Sequence, residues 1–310
     1  MALTLVEAAK AAANGGLAVE SAIIQMFAEK SDILRVLPFE SINGNAYRYT
    51  QEGALPAVAF RGVNEGYTAS EGVLNPQVEP LIIAGGELDV DKFIVNTQGA
   101  GVRSTHEAMK VKSLAASITT TFVKGDQSTS PREFDGLQKR VIGGQLIAAG
   151  ATANGTALSL AKLDEAIDAV DSPTHLLMSK ALRRRLTTAA RTPSVSGTID
   201  FVLDEFGKKV TTYNGIPILL AYSGNGGTEP LAFNEAATSG TATGTSIYVL
   251  SMNPGMVQGI QSGPMMVQDL GELQTAPVFR TRVEWYMGVC ILHGRAVSRL
   301  WSIADAAVTA

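Results

Sequence analysis

The sequence predicts an α+β fold on three observations. Amphipathic helical patterns fill the N-terminal and central parts, and strict two-residue alternation marks the last third. Between them, residues 39–80 run as short alternating segments punctuated by glycine and proline, too poor in apolar side chains to build a core. At 310 residues the chain suits one large domain or two ordinary ones.

Residues 3–13 open with Thr4-x-x-Glu7, a capping-box pattern, and continue as alanine-rich helical sequence that Gly15-Gly16 interrupts. A second helix is expected with Val19, Ile23, Met26 and Phe27 on one side. In the excursion that follows, residues 46–50 place Tyr47 and Tyr49 on one face, and 57–61 do the same with Val58 and Phe60. A segment this long without a core of its own is expected to be functional and to pack on something else. Ser104-x-x-Glu107 then reads as a capping box for a helix over 103–124. Val111, Leu114, Ala115, Ile118 and Phe122 form its apolar stripe, and Gly125 its stop. Thr119, Thr120 and Thr121 are weak helix formers, so packing must hold its C-terminal end.

Leu160, Leu163, Ile167 and Val170 are in helical phase, and a short strand over 175–178 leads through Ser179, as N-cap, into a helix bearing Lys180, Arg183, Arg184, Arg185 and Arg191. Its basic stripe is read as a solvated face or a partner in ion pairs between subunits. Asn214-Gly215 signals a turn before an apolar run, and 223–245 reads as loops. Residues 278–287 alternate, with Phe279, Thr281, Val283, Trp285 and Met287 on one face and Arg280, Arg282, Glu284 and Tyr286 on the other.

Composition narrows the function. Charged residues make up only 17% of the chain, against about 25% in ordinary domains, while hydrophobic residues reach 45%. Such a chain is expected to hide surface in large contacts. The net charge of −4 hides an asymmetry: the first hundred residues carry 6 Lys+Arg and 12 Asp+Glu, and residues 101–200 carry 13 and 9. No segment has the basic excess of a specific nucleic-acid binder, no apolar run is long enough to span a bilayer, and the N-terminus does not read as a signal peptide. The single cysteine, Cys290, suits a reducing cytosol.

The sequence carries no catalytic constellation. His106, His175 and His293 lie far apart, without metal-ligand spacing. Gly99-Ala100-Gly101 is a partial match to a dinucleotide fingerprint and reads as a turn feeding the long helix. No Walker sequence or nucleophile elbow occurs. Cys290 reads as a buried inert thiol, and the pairs Asp164/Asp168 and Asp204/Glu205 as solvated faces. No catalytic residue, cofactor or metal is therefore assigned. An enzyme acting through Cys290 or a carboxylate pair stands as the alternative of another class.

The ordered set of motifs resembles the major capsid proteins of tailed bacteriophages, with the Hong Kong 97-like fold. The resemblance rests on the excursion 39–83, the helix 103–124, PREFDGLQKRV at 131–141, LDEAIDAV at 163–170 and HLLMSKALRRRL at 175–186. It continues through YNGIPILL at 213–220, VQDLGE at 267–272 and PVFRTRVEWYMGVCILHGRAV at 277–297. It implies an N-terminal arm (1–38), an extended E-loop (39–83), a discontinuous peripheral P domain (84–154 and 276–310) with a spine helix, and an axial A domain (155–275). It also implies hexamers and pentamers closing an icosahedral shell around double-stranded DNA, assembled in the host cytoplasm and found in the virion, with a portal and no membrane.

Two departures shape the expectations. Residues 31–91 contain no lysine, so the isopeptide weld of some relatives is not available from this loop; non-covalent contacts or a decoration protein must stabilise the shell. The chain reaches the arm at once, so a separate scaffold protein, or none, and an uncleaved subunit are expected. Mild acidity disfavours sticking to packaged DNA. Across subunits, Arg280, Arg282 and Glu284 are expected to meet a neighbour's E-loop or arm. Glu52, Glu65 and Glu71 are the expected acidic partners, and Tyr47, Tyr49 and Phe60 the apolar ones. The loops at 225–227 and 239–244 are expected near the symmetry axes or on the surface. The runner-up is an encapsulin-like shell, which shares the fold but encloses enzymes.

Overall fold

The computed structural model describes residues 4–14, 26, 31–99, 101–191, 199–203, 209–221, 229–238, 240 and 242–309. The expected helix over 19–27 (apart from Met26), the Asp204/Glu205 pair and the 225–227 loop lie outside them.

Helix α1 (Leu5–Asn14) starts on the expected capping box: the Thr4 N–H donates to Glu7 Oε2 at 2.9 Å, and the Glu7 N–H donates to Thr4 Oγ1 at 3.4 Å. Helix α2 (Asp32–Val36), capped by Ser31, leads into β1 (Phe39–Ser41). The excursion is a hairpin of β2 (Ala46–Ala54) and β3 (Val73–Pro80), antiparallel from Ala46↔Pro80 to Ala54↔Val73 and paired with no other strand. The 57–61 alternation is not a strand. Pairing has ended at Ala54, and alternation without a ladder partner cannot hold extended backbone.

Beyond β4 (Ile82–Asp91) and α3 (Lys92–Gln98) comes the spine helix α4 (Gly101–Lys124), about 36 Å at 1.5 Å per residue. All five predicted stripe residues are buried. Its threonines behave as anticipated: Thr119 is buried, its hydroxyl within 2.9 Å of Ser31 Oγ, and it donates back to the Ala115 carbonyl. The Ser104–Glu107 box is a correction. The helix begins at Gly101, and Glu107 instead accepts from Thr281 Oγ1 and pairs with Arg103. Tertiary partners claim the side chain that a local cap would have used. The helix stops at Lys124, and Gly125 follows where a Cβ would lie 2.3 Å from the Phe134 carbonyl oxygen, so the close backbone approach requires glycine. Gly99, at φ 89°, closes α3 and is no phosphate turn.

Then follow α5 (Leu137–Arg140), β5 (Leu146–Ala148), α6 (Leu160–Asp168), β6 (His175–Met178) and α7 (Lys180–Ala189), the last capped by Ser179 as expected. Strand β7 (Ile199–Leu203) pairs with β8 (Lys209–Tyr213), which turns at Asn214-Gly215 (φ 47° and 80°) into β9 (Ile216–Leu220). Two left-handed residues are what a type I′ hairpin needs. Strands β10 (Glu235–Ala236) and β11 (Ala242–Leu250) occupy part of the stretch expected to be loops, including 242–244 of the expected 239–244 loop. The small Thr and Ser side chains that suggested a loop are buried in the sheet with their hydroxyls bonded, Thr245 to the Leu231 carbonyl and Ser246 to Glu235. The chain closes with β12 (Val257–Gln261), β13 (Met266–Glu272), β14 (Val278–Ile291) and β15 (Val297–Ile303).

Two large sheets result. One runs β1-β12-β14-β13 with β4 also on β14; the other runs β5-β15-β11-β6-β9-β8-β7 with β10 on β11. They cut the chain differently from the expected domain limits. Strands β12 and β13, expected in the A domain, pair with β14; β15, expected in the P domain, lies between β5 and β11. Alternation along single strands divides the core. Leu177, Tyr248 and Leu250 face the core shared with the spine helix and Trp285, while Leu176, Met178 and Val249 face the core under α6 and α7.

Candidate assembly surface

The hairpin presents apolar side chains that its own subunit leaves uncovered. Leu55, Val58, Val63, Tyr67 and Leu74 are exposed, and Phe60 is 100% exposed. Large apolar side chains exposed together within residues 55–74 mark a candidate contact surface. The end of the loop is built to hold its shape. The Gly62 N–H donates to Glu65 Oε2 at 2.8 Å, and Asn64 takes a left-handed φ of 68°. Arg61 donates to the Glu65 carbonyl and lies 5.1 Å over the Tyr67 ring. Of the expected acidic partners, Glu52 and Glu71 are exposed and make no ion pair among the described residues, Glu52 lining the cleft that also holds Lys139 and Arg140, and Glu65 is engaged in this turn.

The root of the hairpin is fastened to its own body. Arg140, on α5, grips Glu79 of β3 with both terminal nitrogens, Nη2 to Oε2 at 2.7 Å and Nη1 to Oε1, while its Nε donates to the Asp135 carbonyl. Tyr49 lines the cleft of about 540 Å³ beside this pair, and burial, reinforced by Glu79, pushes its hydroxyl up to about 12. Tyr47 is half-buried and stacks on Tyr49 with centroids 6.0 Å apart; burial and then Glu40 raise its hydroxyl too. The two tyrosines thus turn toward their own chain, and of the three expected apolar contacts Phe60 alone is fully presented. Replacing Arg140 with Met strands Glu79. The expected loss is about 2 kcal/mol, below the 3–5 of a fully buried pair because both side chains keep some solvent contact. Hydrogen exchange of amides 46–54 and 73–80 should accelerate roughly tenfold or more, with the eight-stranded sheet unchanged.

The predicted charged face of β14 is present, and within the chain its arginines meet acids of β4. Arg280 bonds Asp89 at 2.7 Å through two nitrogens and pairs with Glu87; Arg282 pairs with Glu87 and Glu284. These acids sit opposite on β4, in the register Arg280↔Asp89 and Arg282↔Glu87. Hydrogen bonding from Arg280 holds the Asp89 carboxyl below its ordinary value. The sequence reading missed Glu87 and Asp89 because nothing in it gives the β4–β14 register. It missed the Glu79–Arg140 clamp although Arg140 lay within the 131–141 motif.

Among the described residues, Cys290 and Asp164 are held in structural contacts. Cys290 is buried, its Sγ 3.4 Å from the Gln258 carbonyl, and burial pushes the thiol up to about 12. Thiol reagents should therefore leave the folded chain unlabelled and modify Cys290 fully in denaturant, as mass spectrometry will read. Asp164 accepts the Tyr213 hydroxyl at 2.8 Å, a structural bond. Among the described residues no group of three or more His, Cys, Asp or Glu side chains is placed to hold a metal, and no helix is long and apolar enough to cross a membrane.

Residues 16–166, the span that holds the hairpin and spine helix, match the family model described as major capsid protein GP7. That span, just under half of the chain, is similar to the major capsid protein GP7 family, and the fold is the Hong Kong 97-like one. No curated protein matches the sequence. Among solved structures, the chain superposes on Microbacterium phage Oxtober96 with TM-score 0.62 and 13% identity, covering 87% of this chain and 90% of that one. The capsid of a native GTA particle gives 0.62 at 11%, covering 90% and 91%. The SrpI encapsulin complex of Synechococcus elongatus gives 0.64 at 17%, covering 90% and 89%. At such identities these likenesses show the fold, which phage capsid proteins and encapsulins share, while the family match over 16–166 is to a capsid protein.

Proposed function

We propose that this chain assembles as hexamers and pentamers into a closed icosahedral shell around the double-stranded DNA of a tailed phage. The observation that carries the reading is the hairpin, fastened at its root and apolar at its far end, with nothing in its own subunit to cover Phe60, Val58 or Val63. Laid across a neighbouring copy, these side chains leave water. Full burial of a Phe- or Val-sized side chain contributes about 1.5–3 kcal/mol, and a closed shell repeats the contact at every subunit. A low charge density fits a surface mostly hidden in such contacts. The subunit's role is structural; a separate scaffold, a portal and a possible decoration protein complete the proposed assembly, and DNA is held without sequence-specific contacts.

The test is expression of the chain with electron microscopy and sedimentation. Shells or capsomers are expected, and Phe60→Asp should leave a folded, unassembled subunit with unchanged circular dichroism. Full assembly of Phe60→Asp overturns the role given to the hairpin. The second reading, an encapsulin-like shell around enzyme cargo, is supported by the similarity of fold to the SrpI encapsulin. Nuclease-protected DNA in native particles favours the phage reading, and co-purifying enzyme without DNA favours the other.

A further inference from the structure

We propose that the exposed face of α7 holds the phosphate backbone of packaged double-stranded DNA, through Lys180, Arg183, Arg184 and Arg191. The inference rests on the reading above that the shell encloses DNA, and it names the surface that meets it. The mild acidity of the whole chain argues against adhesion everywhere, and α7 is the exception. Lys180, Arg183 and Arg184 make no side-chain ion pair among the described residues, nor does Arg191 just beyond the helix; Arg185 is matched by Asp305 at 2.9 Å. The arginines of the sheets are satisfied within the subunit, Arg280 and Arg282 by Asp89 and Glu87, and Arg299 by Glu235. Four cations of one short stretch are thus left for an anion.

The helix presents them from a fixed base. Leu182, Leu186 and Ala189 are buried in the second core, and the Ser179 hydroxyl caps the first turn. Lys180, Arg184 and Arg191 are exposed, and Arg183 is half-buried. Arg184 also lines a groove of about 330 Å³ with Ala181, Arg185, Thr188 and Asp305, a polar trough beside the basic stripe. From 180 to 191 the helical rise covers about 16 Å, along which duplex DNA displays roughly ten phosphate charges. The stripe holds no aromatic side chain, so unpaired bases find nothing to stack on. Cations on long stems that meet only phosphate position DNA without reading its sequence. An acidic protein would have to place carboxylates in matched geometry at four points, whereas a duplex offers phosphate at any register. With about four contacts the grip at each subunit is weak and salt-sensitive, so DNA is held against the shell and still slides.

Fluorescence anisotropy of a labelled duplex of about 20 base pairs, titrated with the full chain across a salt series, reads the contact. Two unrelated duplex sequences should bind equally. Affinity should fall about a hundredfold between roughly 50 and 200 mM salt, the slope of about four neutralised phosphates. Arg183→Gln with Arg184→Gln should weaken binding roughly tenfold or more at low salt and lower the log–log slope by about two, with unchanged circular dichroism. Arg183→Lys with Arg184→Lys keeps the charge and should retain both affinity and slope. An unchanged slope in the Gln variant puts DNA elsewhere on the subunit and overturns the proposal. So does polyglutamate that competes as strongly as DNA, which would make the partner an acidic protein. Acetylation of Lys180, read by mass spectrometry, provides the arm in native particles: slow while they are filled, fast once they are emptied and treated with nuclease. Equal labelling in the two overturns the proposal alone. Native particles without nuclease-protected DNA would strike the reading of the shell itself, so the two failures are told apart.

Discussion

Replacing Arg299 with Met should cost the unassembled subunit about 3–5 kcal/mol, because it leaves a buried carboxylate without its counter-charge. Arg299, on β15, bonds Glu235 of β10 at 2.9 Å and Ser246 of β11 at 3.0 Å, and its guanidinium lies 5.7 Å over the Tyr248 ring. Both charged side chains are less than a tenth exposed, so solvent cannot take over when one is removed. Lys124, at the end of the spine helix, approaches Glu235 only to 3.9 Å and is a poor substitute. Thermal unfolding should fall by roughly 5–10 °C. Changing Glu235 to Met as well should recover most of the loss, since an apolar pair of similar volume is close to neutral in such a site. If the double variant is no more stable than Arg299→Met, the loss comes from packing rather than the stranded charge.

Trp285→Ala should be of comparable size, about 3–5 kcal/mol, for a different reason. Trp285 is fully buried in the middle of β14, its ring 4.9 Å from that of Phe39 at 47°, and its Nε1–H donates to Gln261 Oε1 at 3.0 Å. Truncation opens a cavity where β1, β12 and β14 meet and frees the Gln261 amide. Trp285→Phe keeps most of the packing and should cost about 1–2 kcal/mol for the lost hydrogen bond and reduced volume. Urea titration of both variants separates the two contributions. Equal losses for Ala and Phe would make the hydrogen bond, not the ring, the decisive contact. Because β14 holds together β4, β12 and β13, this failure should remove the platform from which the hairpin projects.

These two sites show what could and could not be read in advance. The alternation over 278–287 placed Trp285 on the buried face before any coordinate was known, because a two-residue period reports sidedness directly. The same reading put Arg280 and Arg282 on the other face, correctly, but looked for their partners in another subunit. Which acid lies opposite depends on strand register, and β4 is nearly two hundred residues away in sequence. Arg299 and Glu235 gave no signal at all. Neither sits in a recognisable motif, and their meeting depends on β15 joining β11 in the second sheet rather than staying beside β14.

Local structure is written in short stretches of the sequence. Helix faces, the Thr4–Glu7 box, the Ser179 cap and the Asn214-Gly215 turn are short-range matters of periodicity, hydrogen bonding and allowed backbone angles, all written within a few residues. The same sequence sets residues 46–80 apart, since a segment with too few apolar side chains cannot bury itself. The tertiary structure alone decided how the strands of the last third are shared between two sheets, and which charges are left over. A charge counts as unmatched only after every long-range pairing has been made. Arg280 and Arg282 lose that status through β4, whereas Lys180, Arg183 and Arg184 make no ion pair among the described residues.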